Sequence, residues 1–459
     1  MNLPPLTGDE IVALAKKHTI FEWAVQGAVD PIPVARAQGV YFWTPEGKRF
    51  IDFNSQLMCV NIGHSDPRVV KAIQDQAAIL AYVTPSMATE PRARLGAKLA
   101  EITPGDIDVF FFTNGGAEAN ENAFKIARAY TGRPKILARY RSYHGGTAAA
   151  IAATGEPRSW SQPPMAGIVH VLDPYHGIEH GWDSAQDALR YLDEVIQLEG
   201  PHTIAAFILE SVTGTNGVLI PPEGYMQGVR TLCDKYGILM IADEVMSGFV
   251  RTGEWFAVDH WRVVPDMITM AKGLTSAYVQ LGAVGIRQTI ADSFKDKPFP
   301  GGLTYSSHPL ACATALATIA VYEEDGLIER TRRMGAVMAD LLADLATPIH
   351  RSAPCGRSGS SASSNWSTIA RPVRRWLRST AHRPRWRRSV SSSGRKASTR
   401  SSAGTTSSRT HRCRLPKPSC EKSLGSSTAG WRSWTKPSGS RFRRSSPIST
   451  PLFSRESLH

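Results

Sequence analysis

From about residue 35 to residue 350, short apolar runs alternate with stretches whose apolar positions recur every three or four residues, and most runs end in glycine or polar turns. VYFWTPEGKRFIDF (40–53) alternates apolar and polar residues on either side of Pro-Glu-Gly and predicts a hairpin. DVFFFTNGG (108–116) reads as a strand ending in a glycine turn, and ANENAFKIARAYTG (119–132) as a helix with a glycine stop. KILARYRSYHGG, IAAFILESVTGTNG and GILMIADEVMSG supply further strands, each running into a polar or glycine-rich turn. Strands followed by helices predict an α/β fold with a largely parallel sheet, and ligands of such sheets sit beyond the carboxyl ends of the strands. The chemistry is therefore to be sought in those turns.

Three turns carry reactive residues. In GILMIADEVMSG (237–248) a buried run ends at Asp243 and Glu244, where an acid is costly unless something cationic or protonated meets it. MITMAKGLTS places Lys272 directly after another apolar run, and partial desolvation there suits it to Schiff-base formation. TNGGAEAN (113–120) opens a helix with consecutive glycines, whose free backbone N–H groups can hold a phosphate. Each has an ordinary explanation alone: a turn, a local cap, a snorkelling lysine. Together, a phosphate cradle, a buried carboxylate and a lysine at the strand ends of one sheet meet the needs of pyridoxal phosphate.

The formal net charge of +13 would suggest an anionic partner if it were evenly spread. It is not, because residues 1–350 hold 29 Lys+Arg against 38 Asp+Glu, whereas residues 351–459 hold 24 against 2. In the acidic body Cys59, Cys233 and Cys312 lie far apart in apolar or small-residue settings, which predicts reduced core thiols with no metal site and no disulfide framework. No opening segment resembles a signal peptide and no apolar run is long enough to span a bilayer, so a cytoplasmic protein with no membrane partner is expected.

FFTNGGAEANENAFKIAR, YHGGT, FILESVTGTNGV, IADEVMSGFVRTGEWFA, PDMITMAKGL and GGLTYSSHPLACATALA, in this order, resemble the class III pyridoxal-phosphate aminotransferases of the ω-amino acid:2-oxo acid, taurine–pyruvate type; the resemblance runs from about residue 20 to residue 346. It implies the fold type I architecture: a large domain on a mainly parallel seven-stranded sheet plus a small α+β domain. Residues 1–60 would contribute to the small domain, 61–305 form the large cofactor-binding domain, and 306–346 begin the rest of the small domain. The resemblance further implies that Lys272 carries the cofactor as a Schiff base and shuttles the substrate proton. Asp243 would keep the pyridine nitrogen protonated, Tyr143 stack on one ring face and Val245 pack on the other. Gly116 and Ala117 would offer N–H groups to the phosphate, His144 and Glu210 complete the cofactor-binding set, and Thr304 reach the phosphate of a neighbouring subunit, so that the site requires a homodimer.

Three departures from the family pattern stand out. Ala117 lacks the hydroxyl usual after the phosphate-turn glycine, Ser211 stands where proline is usual, and Val250 stands where glycine is usual, a strained choice if the turn needs positive φ. Relatives acting on γ- and δ-amino acids commonly carry an acid five positions after the strand-end glutamate, paired with an arginine; here that position is Thr215. Its absence favours a ping-pong transaminase taking its amino group from taurine, β-alanine or a similar ω-amine and giving it to pyruvate, with 2-oxoglutarate as an alternative acceptor. Leu57, Met58 and Tyr82 would line the substrate pocket by the same resemblance. An aminomutase, a decarboxylase or a racemase on the same scaffold remains an alternative, as does, from another class, a binding protein whose basic end holds nucleic acid; no nucleic-acid partner is expected.

Residues 347–459 fit neither a disordered tail nor a nucleic-acid domain. Residues 351–459 contain 29 Ser and no Asp yet carry five of the eleven Trp, with no sustained helical or strand period. Ordinary GC-rich coding sequence read out of register gives this mixture. Permitted codons read from their third base turn the segments starting at Ile349 and at Lys396 into family-like strand text, with an arginine codon across Ser402 and Ala403. The expectation is a change of register between about residues 345 and 350 that leaves the large domain locally foldable and costs most of the activity.

Overall fold

The computed structural model describes residues 4–175, 182 and 184–352; the basic segment, with Arg400, Ser402 and Ala403, lies outside the described residues. The hairpin forms as its alternation predicts. Strands β1 (Arg36–Gln38), β2 (Tyr41–Trp43) and β3 (Arg49–Ile51) make a three-stranded antiparallel sheet, with Phe42 opposite Phe50. Gly47, at φ 84°, closes the β2–β3 turn by donating to the Thr44 carbonyl at 3.0 Å.

Seven strands form the central sheet: β4 (Ile107–Thr113), β5 (Lys135–Arg139), β6 (Ile168–Val171), β7 (Ile204–Glu210), β8 (Leu239–Asp243), β9 (Met267–Met270) and β10 (Gly282–Arg287). Their spatial order is β4-β10-β9-β8-β7-β5-β6. β10 is antiparallel to both its neighbours and the other pairs are parallel, so the sheet is mixed but mainly parallel. β7, β8 and β9 are buried at every position, which is why their sequences are apolar runs without alternation. The parallel register pairs Glu210 with Asp243 and Asp243 with Thr269, so three strands end side by side.

The helix Gly116–Thr131 follows β4 and buries Ala119, Ala123, Phe124, Ile126 and Ala127; Gly132, left-handed at φ 69°, ends it as the sequence predicts. The helix Pro309–Glu324 is apolar all round because it is enclosed, burying Ala311, Cys312, Ala315, Ile319 and Tyr322 while packing against the helices Pro67–Ile79 and Glu90–Ile102. The helix Leu327–Ser352 is the last described element. Among the described residues no helix is long and apolar enough to cross a membrane, and no group of three or more His, Cys, Asp or Glu is placed to hold a metal ion. Cys233 and Cys312 are buried free thiols, both pushed up to about 12 by burial, whereas Cys59 is only half-buried.

Val250 adopts the backbone its position was expected to demand of glycine: φ is 68°, in the tight turn where its N–H donates to the Glu254 carbonyl at 3.1 Å and its carbonyl accepts from Gly253 N at 3.0 Å. The β-branched side chain is buried, 3% exposed, so apolar burial offsets the left-handed strain. A Val250→Ala substitution keeps the strain and loses the burial, whereas Val250→Gly loses both. In urea unfolding the Gly variant should therefore be more stable than the Ala variant by about 1 kcal/mol; an Ala variant equal or superior to Gly refutes the strain.

Candidate active site

Several chain segments converge beyond the carboxyl ends of the parallel strands. The turn after β4, the Tyr143-His144-Gly145-Gly146 turn after β5, the end of β8 and the turn after β9 together line a cavity of about 520 Å³. Successive residues at a strand end point to opposite sides, and the two acids after Ala242 obey this. Asp243 faces the cavity. Glu244 faces away, into the loop 256–258.

Asp243 is 3% exposed and met by three donors. His144 Nδ1 donates to its Oδ2 at 2.7 Å, Asn120 Nδ2 to the same oxygen at 2.9 Å, and Val245 N to Oδ1 at 3.1 Å. Asn120 Nδ2 also reaches the His144 carbonyl at 2.8 Å, so it ties helix, turn and strand end together. His144 is itself buried, and its N–H donates to Thr154 Oγ1 at 2.9 Å. Glu210, one strand over, acts as a strut: its carboxylate accepts from Tyr143 N at 3.0 Å and Gly214 N at 2.7 Å. Burial pushes the Glu210 carboxyl above its ordinary range, while nearby His144 and those N–H donors pull it down.

Lys272 begins a short 3-10 turn directly after β9 and lines the same cavity, half-buried and left-handed at φ 42°. The helix Gly116–Thr131 starts there without any side-chain cap, and Gly115, Gly116 and Ala117 form part of the wall. A Cβ on Gly116 would come within 2.8 Å of Val245 Cγ1, so only glycine allows Val245 this close. Tyr143 presents its ring to the cavity; burial raises its phenol, and the Arg158 guanidinium opposes that shift.

Lys272, Asp243, Gly116, Ala117, Tyr143, His144, Glu210, Val245 and Met58 thus meet in one cavity. The structure differs for the other two expected pocket residues. Leu57 is 67% exposed because the turn Ser55–Met58 is left-handed throughout and swings it outward. Tyr82 also lies outside the cavity: its hydroxyl donates to the Thr304 carbonyl at 2.8 Å and its ring packs on Tyr305 and His308. Thr304 is exposed and does not line the cavity. Asn120 was not singled out from the sequence, although it lies one helical turn after Gly116 and thus on the same face. Cys59, Tyr278 and Gln280 line the wall with no sequence signal to mark them.

The set fits pyridoxal phosphate on its own chemistry: an uncapped helix start for a phosphate, a buried carboxylate backed by histidine for a ring nitrogen, an aromatic face, and an amine, all on one cavity. Comparison with known proteins agrees. The model of the class III aminotransferase family matches residues 24–352. An omega-aminotransferase of Caulobacter vibrioides is 39% identical over 344 residues, 70% of this chain and 77% of the relative. A putrescine–pyruvate aminotransferase of Pseudomonas aeruginosa is 36% identical over 314 residues, 65% of this chain and 69% of the relative. The solved taurine:2-oxoglutarate aminotransferase of Bifidobacterium kashiwanohense, in complex with PLP and glutamate, superposes with a TM-score of 0.73 at 44% identity, covering 75% of this chain and 80% of that one.

Glu244 gives this strand end a pH dependence. Burial pushes its carboxyl up to about 7, against the pull of hydrogen bonds from Ser247 Oγ and from the N–H groups of Ala257 and Val258. Between the ordinary value of 4.5 and about 7 the folded chain holds a proton that the unfolded chain has lost, so stability falls as pH rises through this window. A carboxamide at this position does not titrate. The stability difference between wild type and Glu244→Gln, from urea unfolding between about pH 5 and about pH 8, should shift against the wild type by about 3 kcal/mol with rising pH; a constant difference refutes the assignment.

Proposed function

Because the chain belongs to the class III aminotransferases, we propose that it moves the amino group of taurine, β-alanine or a similar ω-amine to pyruvate or 2-oxoglutarate. It is a pyridoxal-phosphate-dependent transferase of the transaminase type. The observation that carries the reading is the shared cavity: Lys272 and Asp243 open onto the same space, and Asp243 is fixed from behind by His144 and Asn120. Taurine as donor is supported by the 44% identity to the Bifidobacterium enzyme, whose own substrates are taurine and 2-oxoglutarate. Thr215 on the cavity wall, where relatives for longer amino acids carry an acid, supports a short donor.

Pyridoxal phosphate, when bound, supplies the electron sink that lets a proton leave the amine-bearing carbon. The N–H groups at Gly116 and Ala117 would hold its phosphate, joined in a homodimer by the partner subunit's Thr304, a role for which Thr304 is exposed. Tyr143 and Val245 would bracket the ring, and Asp243 would hold a proton on the ring nitrogen. Glu210 keeps Tyr143 in place through the backbone. Lys272 Nζ would take the proton from the amine-bearing carbon and return it on the other side of the exchange. The free, buried Cys233 and Cys312 suit a reducing cytoplasm.

The test is transamination from taurine or β-alanine to pyruvate or 2-oxoglutarate, followed as product formed, in the chain with its end restored to register. Lys272→Ala should lower the rate by about 10³-fold or more, since it removes both the cofactor's anchor and the base at that carbon; a variant that transaminates at the full rate refutes the role. The out-of-register reading of the chain's end is supported by the family match stopping at residue 352. Sequencing the DNA for residues 340–410 should show an open third-base frame encoding an arginine in an apolar strand; stop codons there refute it.

A further inference from the structure

Asp243 can offer either of two oxygens to a ring nitrogen, and the protein treats the two unequally. Its Oδ2 accepts from His144 Nδ1 at 2.7 Å and from Asn120 Nδ2 at 2.9 Å, whereas among the described residues its Oδ1 accepts from Val245 N alone, at 3.1 Å. A carboxylate oxygen has two lone-pair sites, so protein donors fill Oδ2 while Oδ1 can take one donor more. The Asn120 amide can face only one way. Its Nδ2 also donates to the His144 carbonyl at 2.8 Å, so both groups it meets are acceptors, and a flipped amide would set oxygen against oxygen twice. Asn120 is 1% exposed, and its own Oδ1 is buried with no hydrogen-bond partner among the described residues. His144 is arranged likewise, with Nδ1 engaged and the buried Nε2 unpartnered. Both side chains are thus held for the donors they point at Asp243 and not for their remaining polar atoms.

We propose that Asn120 is a positioning residue for the cofactor's ring nitrogen: with His144 it fills Oδ2 of Asp243, which commits Oδ1 to the ring N–H and leaves the shared proton on the ring. This rests on the pyridoxal-phosphate reading of the cavity. Two effects combine. Hydrogen bonds to a charged carboxylate favour the charged form, so a donor on Oδ2 works to keep the proton with the ring nitrogen. The amide also bridges a side-chain acid and a backbone carbonyl, so that turning the carboxyl about its Cβ–Cγ bond would break the bonds from Asn120, His144 and Val245 together. A leucine at this position could fill the same buried space and do neither. The helix adds a distance. Asn120 lies four residues after Gly116 in the helix Gly116–Thr131, about 6 Å along its axis. One rigid element therefore sets both the phosphate cradle at its first turn and the acid that meets the opposite end of the ring.

The test uses the full chain with its end restored to register, loaded with pyridoxal phosphate carrying a nitrogen-15 label in the ring. In wild type the label should give the resonance of a protonated ring. Asn120→Leu should move it toward that of a neutral ring and slow the donor half-reaction by about tenfold to a hundredfold, with the half-saturating concentration of the amine nearly unchanged. Asn120→Asp is the discriminating variant, because its carboxyl has almost the shape of the amide and donates only when protonated. At low pH its ring resonance and its rate should approach those of wild type, and both should fall away as pH rises and two carboxylates come to face each other. The other titratable groups of the cavity are the same in both proteins, so a pH response present only in the variant belongs to position 120. A wild-type resonance in both variants at every pH overturns the proposal, as does an Asn120→Asp loss that is equal at every pH, the mark of a merely structural role. A wild type that holds the cofactor with a neutral ring overturns the proposal and leaves the cofactor reading standing, whereas a wild type that takes up no pyridoxal phosphate overturns both.

Discussion

Everything in the cavity depends on keeping a buried carboxylate at the end of β8. A carboxylate that is 3% exposed is tolerated only where donors replace water. Asp243 is met by a histidine, an amide and a backbone N–H, and these come from three places far apart in the chain: the turn after β5, the helix after β4, and its own strand end. The need to satisfy one acid therefore fixes the relative positions of the phosphate cradle, the aromatic turn and the strand that carries them. Removing Asn120 would affect both Asp243 and the His144 carbonyl, because one amide nitrogen serves both.

The sheet makes this convergence cheap. β5, β7, β8 and β9 are parallel neighbours, so their carboxyl ends lie along one edge, and each following turn delivers its side chains there. Register does the fine placement. Glu210 pairs with Asp243 and Asp243 with Thr269, so Lys272, three residues beyond Thr269, emerges next to the acid without any long excursion. Glu244, one residue past Asp243, points the other way and becomes a load on stability instead of a group in the cavity.

The parts of this that were legible in the sequence are those with a strong local cause. Fully apolar runs give β7, β8 and β9; Pro-Glu-Gly gives the first hairpin; and Gly132 ends its helix, whereas the positive φ at Val250 was suggested only by the glycine usual there in the family. β6 and β10 were not marked, because IVHV is too short to show a period and GAVGIR is diluted by glycine. In the candidate site, Lys272, Asp243 and the glycine turn were visible because each sits where an apolar run breaks. Asn120 was hidden because its role is set by an acid more than a hundred residues later, and no local pattern shows that positive φ at Ser55–Met58 leaves Leu57, expected in the pocket by resemblance, exposed. Arg158 carried no signal at all: nothing in TGEPRSW announces that its guanidinium will rest on Tyr143.

The floor and the rim of the cavity use the same chemistry to opposite ends. On the floor a carboxylate is held by a histidine and an amide deep in the protein, where its donors replace water. At the rim the Glu156 carboxylate is paired with the Arg158 guanidinium, which is partly open to solvent and stacked on Tyr143. Thr215 is bonded to both members, so the pair is tied to the cavity wall by neutral groups, whereas the floor acid is tied down by donors from three separate segments.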